Sequence, residues 1–271
     1  MIFQGIDTAA YITADAARTL KANGISFAGR YLGPKSWGKT ITKTEAEALH
    51  NAGLAILLCY ETSATRMRGG AGAGETDGLN AMQYAQELGA PQGTVIFFAA
   101  DYNVPAGDYA LCESYILAAQ AALGCTYIAG LYGPEKIVSY LSERGACDKY
   151  WQCVAWSNQF LPVANVRQYE WQGGPNAKAL AAKIGFAVDM DAAESLSGLW
   201  TPKQPEPEPA THWYDDTVRW AIKEGVVTGP TIEAARPEDY ATRAETMQMI
   251  RNYNRRFEAE DAKRESGLLA E

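Results

Sequence analysis

Up to residue 191 the chain alternates short apolar runs with longer stretches of helical period. Strand-like runs fall at 3–7, 26–31, 54–61, 94–101, 127–132, 151–156, 166–170 and 186–191. Helical segments lie between the early ones, at 14–23, 42–52, 77–88, 108–123 and 134–144. Runs that are apolar on both faces and joined by helical crossovers are the pattern of parallel strands buried on both sides. Eight such strands close a β/α barrel. The last three differ, because only about nine residues separate 156 from 166, fewer than a helical crossover between parallel neighbours requires. The pattern predicts an α/β fold, an irregular (β/α) TIM barrel of eight strands with five full β/α units and helices reduced or missing after the fifth strand.

At 201–210 the apolar periodicity stops, and four prolines alternate with polar residues. Such a stretch is an extended, semi-rigid linker. The predicted organisation is a barrel domain at 1–200, a proline-rich linker at 201–211 and a small C-terminal α-helical module at 212–271.

Composition narrows the function classes. With 47% hydrophobic and 21% charged residues over 271 positions, the chain is an ordinary globular protein over most of its length. The net charge of -8 argues against nucleic-acid or membrane partners drawn by bulk charge, since both need a positive field. No run reaches the roughly 18 to 20 apolar residues of a membrane span. The N-terminal residues lack the basic start and apolar stretch of a secretory signal, so the chain is expected to be made in a cytoplasm. Five cysteines with no CxxC pair read as buried free thiols in preference to a disulfide framework or a metal site. Two histidines, His50 and His212, leave little room for a His-rich metal centre or a Ser-His-Asp triad. No cofactor is expected.

The chemistry lies in how the predicted strands end: Asp7, Tyr31, Glu61, Asp101, Tyr132, Trp156, Gln168, and Asp189 with Asp191. In a barrel these ends converge on one face, where barrel enzymes keep their active sites. Strand parity points the acids inward, Asp7 with Phe3 and Gly5, Glu61 with Leu57 and Cys59, and Asp101 with Phe97 and Ala99. Four or five carboxyls in one cleft raise the pKa of at least one, because like charges in a partly dry site cannot all ionise cheaply. One protonated carboxyl beside an ionised one is the equipment of glycoside hydrolysis. Nearby aromatics, including Tyr60, Tyr102, Tyr169 and Trp171, offer stacking faces for sugar rings. Two other readings stand beside this one: acids that merely cap loops and helix starts, and a divalent-cation site of Asp7, Asp101 and Asp189. The glycine run at 69–74 follows Arg66 and Arg68 but lacks the context of a nucleotide loop. Residues 62–78 are expected to form a mobile lid over the cleft.

Collinear short motifs carry a family resemblance: Gly5-Ile-Asp7-Thr, Tyr60-Glu61, Gly74 to Asp77 leading to Phe97-Phe-Ala-Ala-Asp101, Gly130-Leu-Tyr132-Gly, Gln168-Tyr169 and Val188-Asp189. Over about residues 2–200 the chain resembles the glycoside-hydrolase-like barrel family related to the family 25 lysozymes. The resemblance implies a barrel with an incomplete set of helices and a muramidase-like action on the glycan of peptidoglycan. Those lysozymes carry Asp-x-Glu at the end of the fourth strand with the Glu as proton donor, whereas this chain reads Asp101-Tyr-Asn103. An amide cannot replace that acid. Glu61 is then the candidate acid with Asp101 as its partner, and Asp7 and Asp189 position the sugar or stabilise positive charge. Substrate-binding candidates on the same rim are Tyr31, Tyr132, Trp156, Gln168, Asn103 and Asp191.

The tail resembles a surface-layer homology motif, on Trp213-Tyr-Asp215, Ala221 through Gly225-Val-Val-Thr-Gly229, and Thr242-Arg-Ala-Glu245 with Met247 and Ile250. That implies docking on a secondary cell-wall polymer, with Arg243 as the candidate contact to an anionic chain. A single such hairpin has little core of its own, which leaves packing on the barrel or self-association into a homo-oligomer as outlets for its apolar face. Taken together these features lead to the expectation of a peptidoglycan-degrading glycosidase of phage endolysin type, acting at a Gram-positive wall after release from the host cytoplasm. The alternative is a wall-carbohydrate-binding protein whose barrel has lost catalysis.

Overall fold

The computed structural model describes residues 2–202. The expected module at 212–271, nearly all of the linker, and Arg243 lie outside the described residues.

The described chain runs β1 (Phe3–Asp7), α1 (Ala14–Ala22), β2 (Ile25–Leu32), α2 (Lys43–Asn51), β3 (Ala55–Tyr60), α3 (Gly70–Leu88), β4 (Val95–Ala99), α4 (Tyr109–Leu123), β5 (Ile128–Gly133), α5 (Glu135–Glu143), β6 (Tyr150–Cys153), β7 (Val166–Glu170), α6 (Pro175–Ile184) and β8 (Asp189–Ala193). The eight strands close into a barrel in sequence order. Local chemistry sets several boundaries. Thr13 and Thr42 cap α1 and α2 by accepting from Ala16 N and Glu45 N, each at 3.2 Å. Gly89 and Gly185 end α3 and α6 in the left-handed conformation.

Two expectations are corrected, the direction of the last strand and the lid. β8 is antiparallel to both of its neighbours, β7 and β1, while all the other pairings are parallel. An antiparallel strand starts at the end of the barrel where its predecessor stopped, so it needs no crossover. The helices are reduced after the fifth strand as expected, and the one between β7 and β8, α6, is opened by Pro175 in its first turn. The helix-free connection is the one from β6 to β7. Finally, the glycine run forms no lid, since it supplies the first turns of α3. A Cβ at Gly74 would lie 2.1 Å from the Tyr115 carbonyl oxygen of α4, so glycine is there to let two helices touch.

Alternating parity divides the core into two layers. Phe27, Leu57, Val95, Phe97, Trp151 and Val166 fill the barrel interior. Leu20, Leu49, Ile96, Phe98, Ile116 and Leu141 belong to the layer between strands and helices. After β8 the chain crosses the strand starts, where Val95 N donates to Gly198 O at 2.8 Å and Ile56 pairs with Trp200 in both directions. Leu196 and Leu199 join the interior cluster from this segment and close that end of the barrel. The other end stays open. No helix among the described residues is long and apolar enough to cross a membrane.

Candidate active site

The open end is built from strand termini, and the reversal of β8 decides how its acids enter. Asp7 closes β1 and pairs in register with Asp189, the first residue of β8, while Gly5 pairs with Asp191. Both β8 acids thus face the interior, Asp189 beside Asp7 and Asp191 one step deeper. Space for Asp7 comes from Gly29 of β2, where a Cβ would stand 2.7 Å from Asp7 Cβ. The end of β1 is also anchored from outside. Fully buried Arg30 donates from Nε to Glu45 Oε1 at 2.6 Å and through Nη1 to the Thr8 carbonyl, and Ile12 N donates to the same Glu45 oxygen at 2.9 Å. This charge pair ties β2 and α2 to the loop that leaves Asp7.

Three acids and one amide form the floor. Gln168 of β7 donates from Nε2 to Asp7 Oδ2 at 2.8 Å and to Asp189 Oδ2 at 3.2 Å, and accepts at Oε1 from the Tyr132 hydroxyl at 3.0 Å. Asp189 Oδ1 accepts from Gln172 N at 2.5 Å. Asp191 is 0% exposed and accepts at Oδ1 from Trp151 Nε1 at 2.8 Å. Burial, reinforced by the Asp189 charge, pushes the Asp7 carboxyl up to about 7, against the opposing hydrogen bonds of Gln168 and Asp191. Burial likewise raises Asp191 well above the usual carboxylate range, with Asp7 adding to it, and raises Asp189. The phenols of Tyr31 and Tyr132 are pushed up in the same way and stay neutral donors.

The rim carries the second group. Glu61 follows the last residue of β3, and Asp101 follows β4 by two. Lys39, on the loop between β2 and α2, reaches over the opening, with its Nζ 2.7 Å from Glu61 Oε2 and 4.2 Å from the centre of the Tyr31 ring. Asp101 is raised by burial and by the Glu61 charge, and Lys39 partly offsets this. The mouth therefore holds a carboxyl biased toward its protonated form next to a carboxylate in an ion pair.

Asn103 is exposed on the loop after β4. Trp156 lies beyond β6 in a turn, 47% exposed and with φ +56, a strained conformation for a bulky residue. Asp191 has no exposed surface, so it does not itself meet a ligand, against the sequence expectation. Lys39 and Trp151 are additions that sequence reasoning missed. Trp151 has the inward parity of its strand, a signal that was present, whereas a lone loop lysine carries none. The five cysteines are free, and Cys59, Cys112 and Cys153 are buried. Among the described residues no group of three or more His, Cys, Asp or Glu is disposed to hold a metal ion. The donor set agrees, because the Gln168 amide places N–H groups between Asp7 and Asp189 where a cation would need bare oxygen.

Comparison with known families matches residues 18–193 to the Rv2525c-like, glycoside hydrolase-like domain. The chain belongs to this family. Among relatives, the uncharacterized protein FadG of Bacillus subtilis is 31% identical over 154 residues, covering 51% of this chain and 26% of that protein. The uncharacterized protein YbfG of the same organism is 31% identical over 161 residues, covering 51% of this chain and 21% of that protein. The match thus spans about a quarter of each relative's length. Among solved structures, the Tat-secreted protein Rv2525c of Mycobacterium tuberculosis, in complex with L-tartrate, superposes with a TM-score of 0.62 at 23% identity, over 74% of this chain and 98% of that one. At that identity the likeness shows the shared fold. The glycoside hydrolase-like family accounts for the barrel, and the site within it rests on this chain's own residues.

Proposed function

We propose that the barrel hydrolyses glycosidic bonds of a bacterial wall glycan, peptidoglycan strands in the first instance, by carboxyl acid–base catalysis at the open end. The observation that supports it most is the unequal pair on the rim, Asp101 raised toward its protonated form and Glu61 held by Lys39. On this reading the sequence-based assignment reverses. Asp101 donates its proton to the leaving oxygen as the glycosidic bond breaks, and the Glu61 carboxylate either attacks the sugar carbon or takes a proton from an attacking water. Asp7 and Asp189, on the floor beside Gln168, would stabilise positive charge developing on the ring. Tyr31, Tyr132, Gln168, Asn103 and Trp156 are the proposed sugar contacts. The tail would anchor the protein to a secondary wall polymer, with Arg243 as a contact, in the manner of an endolysin.

A second reading is a wall-glycan-binding protein without turnover. It is supported by Asn103 in place of the usual donor and by Lys39 already occupying Glu61. Purified Gram-positive walls separate the two, with the intact protein tested beside Asp101→Asn and Glu61→Gln for new reducing ends and for the mass of released fragments. Turnover lost in both variants supports hydrolysis. Binding to walls without any new reducing end supports the second reading.

A further inference from the structure

Beneath the mouth, one carboxyl has a bonding pattern that the proposed acid–base pair leaves unused. Asp191 is fully buried, its Oδ1 is taken by the Trp151 indole, and its Oδ2 is a buried oxygen with no donor of its own. Asp7 stands diagonal to it across the β1–β8 pair on the same inward face and is the charge that acts on it most, and two ionised carboxylates have no hydrogen to share. An unpaired buried carboxylate oxygen is costly, and a second negative charge beside it more so. A proton on Asp191 Oδ2 removes both problems at once, because Oδ2–H then donates to Asp7.

We propose that Asp191 is a positioning residue that keeps its proton and donates it to Asp7 from below, so that the pair carries at most one negative charge and Asp7 stays aimed at the mouth. Asp191 touches no substrate and acts through Asp7. Every element packed around the pair fits this arrangement. From β8 comes Asp189, whose charge disfavours a second anion, and from β7 comes the Gln168 amide, which donates to the far oxygen of Asp7. β6 contributes the Trp151 indole donor, and Gly29 of β2 leaves the space that Asp7 occupies. Asp101 faces the pair from across the mouth and adds negative charge. Tyr31 and Tyr132 approach as neutral phenols and Cys59 as a neutral thiol. Among the described residues no lysine or arginine forms an ion pair with Asp191 that could take the proton's place.

This inference rests on the proposed role of Asp7 in a glycan-cleaving mouth, but its test needs no turnover. The indole N–H of Trp151 reports on Asp191 directly, so its proton resonance is followed by NMR from pH 4 to 9 in the full-length protein. The expected result is no step near pH 4, where an ordinary carboxyl ionises, and one step near neutrality as Asp7 loses its proton. A step near pH 4 would overturn the proposal, since Asp191 would then be an ionised group. Asp191→Asn supplies a permanent N–H donor in nearly the same shape. It should keep Tm within about 2 °C of the parent from pH 5 to 8, whereas Asp191→Ala should lower it by about 5 °C or more. Equal destabilisation by Asn and Ala at pH 7 would also overturn it. Should neither variant fold, the titration of the parent protein decides alone. If the titration behaves as expected while no walls are cleaved, the dyad stands and only the hydrolytic reading fails.

Discussion

The two ends of this barrel are made from the same strands and treat polarity in opposite ways. At the closed end, Leu196 and Leu199 pack with Val95, Phe3 and Ala193, and the covering segment satisfies the backbone of β3 and β4 through Trp200 and Gly198. At the open end, Asp7, Asp189 and Asp191 share a floor with Gln168, below Glu61, Asp101 and Lys39. The closed end follows the ordinary rule for interiors, apolar side chains under a covering segment whose backbone is paired. The open end holds acids against that rule, an arrangement that costs stability and finds its use in chemistry.

Breaking the anchor of the open end should have the largest effect. Arg30→Met leaves Glu45 buried and unpaired, and is expected to lose about 3 to 5 kcal/mol in urea unfolding. At the closed end, Leu199→Ala removes a buried side chain and should cost about 2 to 3 kcal/mol with no pH dependence and no change in wall binding or cleavage.

Asp7→Asn should go the other way. The Asp7 carboxyl rises from its usual 3.8 to about 7, so folding takes up a proton. Its contribution is fully present below pH 4 and is lost as pH rises through 7. The neutral amide escapes that loss, so the variant should be more stable than the parent by about 1 to 3 kcal/mol at pH 8, with the gain fading toward pH 4. Destabilisation at pH 8 would show that the open end is not strained by its charge. In the proposed mechanism the same variant loses turnover.

The smallest effect belongs to Lys39→Met. The ion pair is partly exposed, so stability should change by no more than about 1 kcal/mol. Lys39 holds Asp101 down, so its removal raises the Asp101 carboxyl further, and the alkaline limb of the pH–rate profile should move to higher pH. An unmoved limb would count against Asp101 as the proton donor.

The open end was legible in the sequence where strand parity alone decides. β1 and β7 match their predicted spans, and Asp7, Glu61 and Asp101 face inward as the alternation requires. Direction was not legible for β8, because a period of two reads the same from either end, so Asp189 was expected at the close of a strand that it opens. The glycine run misled for a different reason. Glycine signals a flexible loop locally, yet at Gly74 it answers a contact with Tyr115 forty-one residues away, which no local pattern contains. Arg30 and Glu45 are hidden likewise, since a charged pair inside the outer layer appears in sequence as two unrelated polar positions.

The reversal of β8 has one more consequence. Running downward from the mouth, the strand sets Asp189, Asp191 and Ala193 at successive depths on one inward face, partly exposed, fully buried, and packed with the apolar interior. A single extended segment thus samples a gradient of dielectric screening. The proton affinity of an acid on this strand rises with how far along it the acid stands, which lets two identical side chains, two residues apart, differ in acidity without any change in the backbone.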